Sequence, residues 1–465
     1  MKTRFSWLLP VLLAAGCAVG PNYKRPSVPA PPQYRGAPPG ASPASLADTK
    51  WPDLFQDDAL KQLIAAALEH NFDLSMAAER VEQARARFQI SGAYQYPFVF
   101  GQAQFTATRP SRIGSSRAAP SSSSLDSSYT QAGAALSWEL DLWGRLRRLK
   151  ESARAQYLAT EEARRGVVVS LIGDVAGDYF TLRERDLELE IARATRDIAA
   201  RNLQLVRVRH DHGAATGLDV HQAEQFLYTA TARIASAERD IGQVENALSL
   251  LLGRSPGEIA RGKTVYDFTL PAEVPAGLPS SLLERRPDIR QAENLLIAAN
   301  AQIGVAKAYY FPQISLTGFL GGQSRALSEL FTGPARFWTA TPSALFPLFT
   351  AGQVRVAVRL SEAQQREMLI GYSKTIYSAF REVSDALIGL ERTREQRREQ
   401  DRLVQALTET DRLSNLRYKG GLDSYLQVLD AERNLFQGRL VLAQLRLGEL
   451  LSFVQLYRAL GGGWQ

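Results

Sequence analysis

Cysteine, histidine and long apolar segments are all scarce in this chain of 465 residues. Cys17 is the only cysteine, which excludes disulfide bonds within the chain and argues against a zinc–thiolate cluster. No segment after it holds 18 or more consecutive apolar residues, so no transmembrane helix is predicted. A β-barrel stays open, because each barrel strand gives a much weaker signal than a membrane helix.

Proline is absent between Pro120 and Pro256 and again after Pro347. Because proline breaks helices, these stretches can hold very long ones, and residues 145–212 are predicted to form one helix of roughly 100 Å. Basic runs interleaved with aromatic residues are also missing. Acidic and basic residues alternate and the net charge is +7, which indicates solvated helix faces and no nucleic-acid partner.

The first residues carry an export signal. A basic start precedes the apolar segment FSWLLPVLLAA, which is too short to span a membrane. The segment ends in AAGC, which resembles a bacterial lipoprotein cleavage site, although Leu13 stands one place earlier than is usual. We predict a signal peptide at 1–16 and lipidation of Cys17, with an ordinary secretory signal as the alternative. The proline-rich residues 17–56 are predicted to form an extended tether.

The chain contains two copies of one pattern. The segment RHDHGAATGLDVHQAE at 209–224 aligns without gaps with RYKGGLDSYLQVLDAE at 417–432. The stretches that begin at Asp73 and Asp288 match in the same way. We therefore predict a tandem structural repeat, made of a first repeat at 57–253, a linker at 254–279 and a second repeat at 280–465.

Each half is predicted to hold a helix, two strands and a long helical hairpin. The opening helix of the first half has one apolar stripe, formed by Leu60, Leu63, Ile64, Ala67 and Leu68. In SSYTQAGAALSWELDL every second residue from Ala132 to Leu142 is apolar, and the alternate positions hold the polar residues Gln131, Ser137, Glu139 and Asp141. This period of two predicts a strand with one apolar and one wet face. Three more strands are predicted where the alternation is weaker, in PFVFGQAQFTAT, PQISLTGFLGG and FWTATPSALFPL.

Four strands are too few to close a barrel, which needs about eight. Copies of the chain must therefore pool their strands: two four-stranded chains would supply eight strands and three would supply twelve. The alternative is a soluble helical protein with two small hairpins.

The letters GEIARGKT at 257–264 match the phosphate-binding pattern G-x-x-x-x-G-K-[ST]. That loop works only where a strand leads into it and a helix begins at the lysine, so that the helix amides face the phosphates. Here a helix end precedes the match, and prolines at 271, 275 and 279 follow it. We predict that no helix begins at Lys263 and that the match is a coincidence, which leaves an ATPase as a rejected alternative.

Four separated motifs carry a family resemblance that covers the chain from Cys17 onward: CAVGPNYKRP, LPSSLLERRPDIRQAE, SWELDLWGRLRR and YRALGGGW. The chain resembles the outer-membrane factor family, the TolC- and OprM-like channels of tripartite efflux pumps, in its lipoprotein branch. The resemblance implies an α+β membrane protein that forms a homotrimer. Its twelve-stranded β-barrel, with four strands per chain, would continue into a long α-helical barrel in the periplasm.

The resemblance also implies a function and a set of partners. The protein would export small compounds across the outer membrane, where it would be lipid-anchored, and would perform no enzymatic chemistry and need no cofactor. Its partners would be a periplasmic adaptor (membrane fusion) protein, an inner-membrane RND-type transporter and outer-membrane lipid. The alternative is a lipoprotein scaffold that spans the periplasm without a conducting pore.

The repeated turns are the predicted functional regions. Glycine at 213 and 421 suits a positive φ, and Thr216 and Ser424 suit helix N-caps. By resemblance, the tips that contact the adaptor contain Gly213, Thr216, Leu218, Gly421 and Ser424. The resemblance places a periplasmic gate at Asp430, and we group with it Gln427, Leu426, Asp423, Arg417 and Tyr418.

Three copies of Asp430 near a threefold axis would attract cations and respond to pH, because like charges at close range raise each other's pKa. The first copy has Gln222 at this position, so only the second hairpin is predicted to carry the charged gate. The alternatives are a plain helical connection without a partner and an Asp430 that pairs on a solvated helix face. His210, His212 and His221 lie near the first turn, but residues two apart on a helix diverge, so no metal site is predicted.

Overall fold

The computed structural model describes residues 18–37, 44–109, 111, 127–271 and 274–464. The predicted signal peptide and Cys17 lie outside the described residues. Short 3-10 turns occur at Leu46–Asp48, Leu327–Glu329 and Gly333–Ala335. The helices and strands are, in chain order, α1 (Trp51–Leu54), α2 (Asp58–His70), α3 (Phe72–Ala93), β1 (Phe98–Thr108), β2 (Ser127–Leu140), α4 (Arg145–Asp211), α5 (Gly217–Leu251), α6 (Pro279–Arg285), α7 (Pro287–Ala308), β3 (Gln313–Ser324), β4 (Arg336–Leu345), α8 (Gln353–Lys419) and α9 (Tyr425–Ala459).

Corresponding helices have equal lengths in the two halves of the sequence. Helices α4 and α8 each contain 67 residues, α5 and α9 each contain 35, and α3 and α7 each contain 22. The single helix predicted at 145–212 is confirmed to within one residue. All four predicted strands are present.

The chain divides into two compact units, and each takes residues from both halves of the sequence. The first unit consists of Met1–Pro26, Val81–Thr160 and Ala292–Tyr372. The second consists of Ser27–Arg80, Glu161–Gln291 and Ser373–Gln465.

The first unit contains one antiparallel sheet in the order β1-β2-β3-β4. Residues Ala134 and Leu320 are register partners at its centre. Close approach of β2 and β3 requires Gly133, because a Cβ there would lie 2.3 Å from the carbonyl oxygen of Leu320. Strands β1 and β4 each pair on one side only among the described residues, and nearly all of their side chains are exposed.

Two members of the predicted wet face of β2 have local structural tasks. Asp141 lies just beyond the end of the strand, and its carboxylate accepts the backbone N–H groups of Leu146 and Arg147, both at 2.9 Å. It therefore satisfies amides at the start of α4 that have no partner within the helix. Glu139 pairs with Arg145 at 2.6 Å. The alternating strand was predicted to continue through Asp141. This is wrong, because the strand ends at Leu140.

The residues predicted to form an extended tether are not a free tether, and within 17–56 the chain forms the 3-10 turn Leu46–Asp48 and the helix α1. Gly20 has φ +102°, and a Cβ there would lie 2.5 Å from the Cα of Gly304. Arg148 donates to the carbonyl of Gly20 at 3.2 Å and to the side chain of Asn22 at 2.7 Å. Asn300 donates to the carbonyl of Pro21 at 2.9 Å. Specific polar contacts therefore hold residues 20–22 in place within the first unit.

The second unit has an apolar core around α2 and the middle of α4. Four of the five residues of the predicted stripe are buried, namely Leu60, Leu63, Ile64 and Ala67, and they cluster with Tyr179 and Phe180 of α4. The linker packs on the same core through Ile259, Val265 and Phe268. It therefore contributes these three buried side chains to the second unit's core, although most of its other described residues are exposed.

The phosphate-loop match has no helix at its lysine, as predicted. The N–H of Gly262 donates to the hydroxyl of Tyr179 at 2.9 Å, and the N–H of Lys263 donates to Asp57 at 2.8 Å. A nucleotide phosphate would need backbone amides that are free to donate, and these two are already used.

Helix α9 alone among the described helices is long and apolar enough to cross a membrane by length and composition. It nevertheless carries the buried charges Arg446 and Glu449, which pair at 2.6 Å. Arg446 also donates to the carbonyl oxygen of Val265 at 3.0 Å. Buried charges are retained where they are paired and hydrogen-bonded, so we interpret α9 as a core helix of the second unit.

Candidate functional site: the two helix turns

The two predicted tips are turns with the same backbone design. The turn between α4 and α5 contains Gly213, and the turn between α8 and α9 contains Gly421; both have φ +75°. In each, the residue after the glycine donates its N–H to a carbonyl five residues back, from Ala214 to Arg209 at 2.7 Å and from Leu422 to Arg417 at 3.0 Å. This closes a helix with a glycine in the left-handed conformation, and the predicted positive φ is confirmed.

The N-caps of the two returning helices differ. Thr216 accepts the N–H of Asp219, and the carboxylate of Asp219 accepts the N–H of Thr216 at 2.8 Å. This reciprocal pair is a capping box, so the predicted cap is confirmed. Ser424 occupies the cap position of α9, but its side chain makes no capping hydrogen bond. Ser424 therefore occupies the predicted N-cap position, but its hydroxyl does not form the hydrogen bond that a capping side chain makes.

Tyr418 is a buried residue of the second turn and is packed by groups from both hairpins. The guanidinium carbon of Arg209 lies 4.2 Å from its ring centroid, and Arg209 also donates to its carbonyl oxygen at 3.3 Å. The centroid of the Tyr425 ring lies 5.6 Å from that of Tyr418. A cation over an aromatic face is attractive, so Arg209 ties the first turn to the second. The prediction singled out Tyr418 but missed Arg209 as its partner.

Arg417 forms a local ion pair in the second turn. Its guanidinium donates twice to Asp423, at 2.5 and 3.3 Å, and this contact holds the pKa of the Asp423 carboxyl below its usual value. The Arg417 side chain is 57% exposed and that of Asp423 is 27% exposed. Exposed pairs of this kind stabilise a protein weakly. The ion pair therefore fixes the loop conformation more than it adds stability.

The N-terminal part of α9, residues 425–436, has one buried face and one exposed face. Its buried residues are Tyr425, Val428, Leu429, Ala431, Glu432, Leu435 and Phe436. The exposed face carries Leu426, Gln427 and Asp430, and Asp430 accepts a hydrogen bond from Asn434 of the same helix at 3.1 Å. The structure thus brings three of the predicted gate residues onto one surface, and Asp423 and Arg417 lie in the adjoining turn.

The histidines of the first turn do not converge. His212 contacts the carbonyl of Val208 at 2.7 Å, and His221 contacts the carboxylate of Glu224 at 3.1 Å. Within the described ranges no group of three or more His, Cys, Asp or Glu side chains is arranged to hold a metal ion. The side chains that both turns expose to solvent include charged and apolar ones, which suit contact with another protein.

Comparison with known proteins identifies relatives of this chain. The family profile described as "Outer membrane efflux protein" matches residues 63–254 and 278–462. The toluene efflux pump outer membrane protein TtgI of Pseudomonas putida is 39% identical over 473 aligned positions, which cover 100% of this chain and 99% of that protein. The cation efflux system protein CusC of Escherichia coli O6:H1 is 36% identical, with 98% and 99% covered.

A solved structure shows the same architecture. The MtrE outer membrane channel of Neisseria gonorrhoeae superimposes with a TM-score of 0.87 at 31% identity, covering 97% of this chain and 99% of that one. The predicted family is confirmed, and the protein is an outer membrane efflux component and not an enzyme. Its family profile, near-full-length relatives and solved structural neighbour agree, and the chain belongs to the outer membrane efflux protein family.

Proposed function

We propose that this protein is the outer-membrane channel of a tripartite efflux system and that three copies pool their strands into one twelve-stranded barrel. The observation that carries the proposal is the open sheet, because β1 and β4 each leave one edge unpaired in the described chain. Such edges invite pairing with another copy, and about eight strands or more are needed for closure. Large apolar side chains that the strand register places on one face of the sheet are at least 61% exposed, as expected for a surface that meets lipid: Val99, Phe105, Leu320 and Trp338.

The helical part would continue the barrel into the periplasm as a tandem repeat. Small toxic compounds would reach it from an inner-membrane RND-type transporter through a periplasmic adaptor. Leu218 and Leu422, which are 66% and 71% exposed at the two turns, offer the adaptor apolar contact. A lipid on Cys17 would add an anchor at the membrane, close in sequence to the fixed segment at residues 19–22.

The gate in this proposal is the exposed face of α9, where three copies of Asp430 would approach the threefold axis. Its carboxylate has no cationic partner among the described residues, so its charge is available to permeating ions. A ring of carboxylates favours cations in a narrow pore. The face is bounded by Leu426 and Gln427, which are also exposed.

Single-channel recording in a planar bilayer tests the pore and its gate together. We expect cation-selective currents from the wild-type protein and a loss of selectivity in Asp430→Asn, because the ring would lose its charge. Glu409→Gln is the matched control: it removes one carboxylate that is paired with Arg412 at 2.5 Å on an exposed face of α8. Its selectivity should equal that of the wild type.

The outcomes separate the parts of the proposal. Currents whose selectivity is unchanged in Asp430→Asn would keep the channel and place the gate elsewhere. A purified trimer that inserts but never conducts, even with Asp430 replaced, would favour a periplasm-spanning scaffold. A protein that is monomeric in detergent and in membranes would contradict the pooled barrel.

A further inference from the structure

Two residues beyond Asp430, helix α9 buries a carboxyl group that has almost no polar support. Glu432 is only 4% exposed and packs beside the apolar cluster that contains Tyr425, Leu429 and Phe436. One of its oxygens accepts a hydrogen bond from the side-chain amide of Asn202 on α4. The other oxygen is buried without any hydrogen-bond partner. A carboxylate held in this way is unfavourable in its charged form.

The groups that face Glu432 do not compensate for its charge. Asn202 of α4 is neutral, Asp411 of α8 is itself acidic, and Tyr425 precedes Glu432 on α9. Burial raises the pKa of Asp411, and the positive charge of Arg439 on α9 opposes that rise. No arginine or lysine in the part of the chain that the structure describes forms an ion pair with Glu432.

The equivalent residue in the other hairpin, Glu224, has the opposite surroundings. It aligns with Glu432 in the repeat, yet it is paired with Arg207 at 2.7 Å and hydrogen-bonded to His221 at 3.1 Å. These contacts lower the pKa of Glu224. At the aligned positions the second hairpin has Asn415 and Leu429, neither of which is charged. The sequence thus keeps the glutamate in both hairpins but supplies a cation in only one.

Burial, with the nearby Asp411, raises the pKa of Glu432 from 4.5 to about 7, and Asn202 opposes this weakly. The folded state therefore holds a proton that an opened state with an ordinary pKa would release between these values. As pH rises through this window, the opened state binds fewer protons than the closed one, so the closed packing loses stability. It is most stable in acid, and the loss is complete above the folded pKa.

The position of Glu432 connects this proton to the proposed gate. Asp430 and Glu432 belong to the same turn of α9 but lie on opposite faces, one exposed and one buried. We propose that Glu432 is a positioning residue whose protonation holds α9 against Asn202 and whose ionisation loosens that contact, so that the gate-lining face is released as pH rises. The effect on the gate rests on the proposed function, whereas the loosening of α9 does not.

Amide hydrogen exchange on the full-length purified protein tests the loosening directly. Peptides covering residues 425–436 would be compared between wild type and Glu432→Gln at the same pH, so that the intrinsic pH dependence of exchange cancels. Glutamine keeps the shape and mimics the protonated acid. We expect the ratio of local opening, wild type over variant, to rise about tenfold between about pH 6 and about pH 8. In infrared difference spectra, the protonated-carboxyl signal that fades over the same range should be smaller in Glu432→Gln than in the wild type; the remainder comes from Glu184, whose pKa burial also raises to about 7.

Two further variants separate this inference from its alternatives. Asp411→Asn removes the neighbouring negative charge, so the same rise should occur at lower pH. Glu224→Gln is the matched control in the other hairpin and should leave the pH profile of 425–436 unchanged. A ratio that stays constant with pH, or a protonated-carboxyl signal that is as large in Glu432→Gln as in the wild type, overturns the inference. If the ratio rises as expected while bilayer recordings show no current, the proton-sensitive packing stands and only the proposed channel fails.

Discussion

At position 210 the first turn carries a histidine that faces solvent, and at the aligned position 418 the second turn carries a tyrosine that is buried. A similar contrast holds for Arg209 and Arg417. Arg209 covers the ring of Tyr418, whereas Arg417 pairs with Asp423 inside its own turn. The backbone of the two turns is the same, but the second turn receives a side chain from the first. The first turn thus stabilises the second through the contact between Arg209 and Tyr418.

The largest difference is expected at Tyr418 and His210. Tyr418→Ala removes a buried aromatic ring and the cation–π contact that it makes with Arg209, and it should lower the free energy of local unfolding by about 3–5 kcal/mol. His210→Ala should change it by no more than about 0.5 kcal/mol, because the imidazole is exposed. Hydrogen exchange of residues 425–436 and 217–228 in each variant measures both effects.

Tyr418→Phe sharpens the same test. The Tyr418 hydroxyl is buried without a hydrogen-bond partner, so its removal should be neutral or slightly stabilising. Equal losses of protection in Tyr418→Ala and His210→Ala would show that the two turns are supported alike. A large loss in Tyr418→Phe would mean that the hydroxyl has a partner in the assembled protein.

The helix caps are expected to differ less. Thr216→Ala removes a capping bond to the N–H of Asp219 and should cost about 1 kcal/mol at the start of α5. Ser424→Ala removes no such bond and should leave the start of α9 unchanged. Exchange rates of the first-turn amides of both helices report the difference, and Thr216→Ser is the control that keeps a hydroxyl. Equal fraying of the two helices in the alanine variants would contradict the observed caps.

The features that the sequence predicts well are those set by one residue or by a long pattern. The absence of proline predicts the helix at 145–212, and glycine at 213 and 421 predicts the left-handed turns, because few other residues adopt that conformation. Three strands of the sheet, β1, β3 and β4, alternate more weakly in sequence than β2 does. All three were nevertheless predicted from that alternation, and the structure contains them.

The contacts that distinguish the two turns were not predictable in the same way. Glu224 and Glu432 are identical letters in aligned segments, and their opposite surroundings depend on Arg207, Asn202 and Asp411 from neighbouring helices. Which neighbour meets which face is decided by packing across the bundle and not by local spacing. A pairwise reading of the repeat does offer one signal, because Arg207 aligns with an uncharged Asn415. The glutamate is present in both copies of the repeat, but its arginine partner is present in only one. This difference in sequence indicates that the surroundings of Glu224 and Glu432 differ.

The smallest difference is expected at the turn glycines. Gly213 and Gly421 share φ +75°, and an added Cβ at either would meet nothing within 4 Å. Gly213→Ala and Gly421→Ala should therefore each cost only the strain of a left-handed alanine, about 1–2 kcal/mol, and the two costs should agree. Asparagine at either position should recover part of the loss, because it tolerates this conformation better than alanine does. Hydrogen exchange across both turns compares the four variants. Unequal costs would mean that the backbones of the two turns are held differently in the assembled protein, and the contrast between them would then extend beyond their side chains.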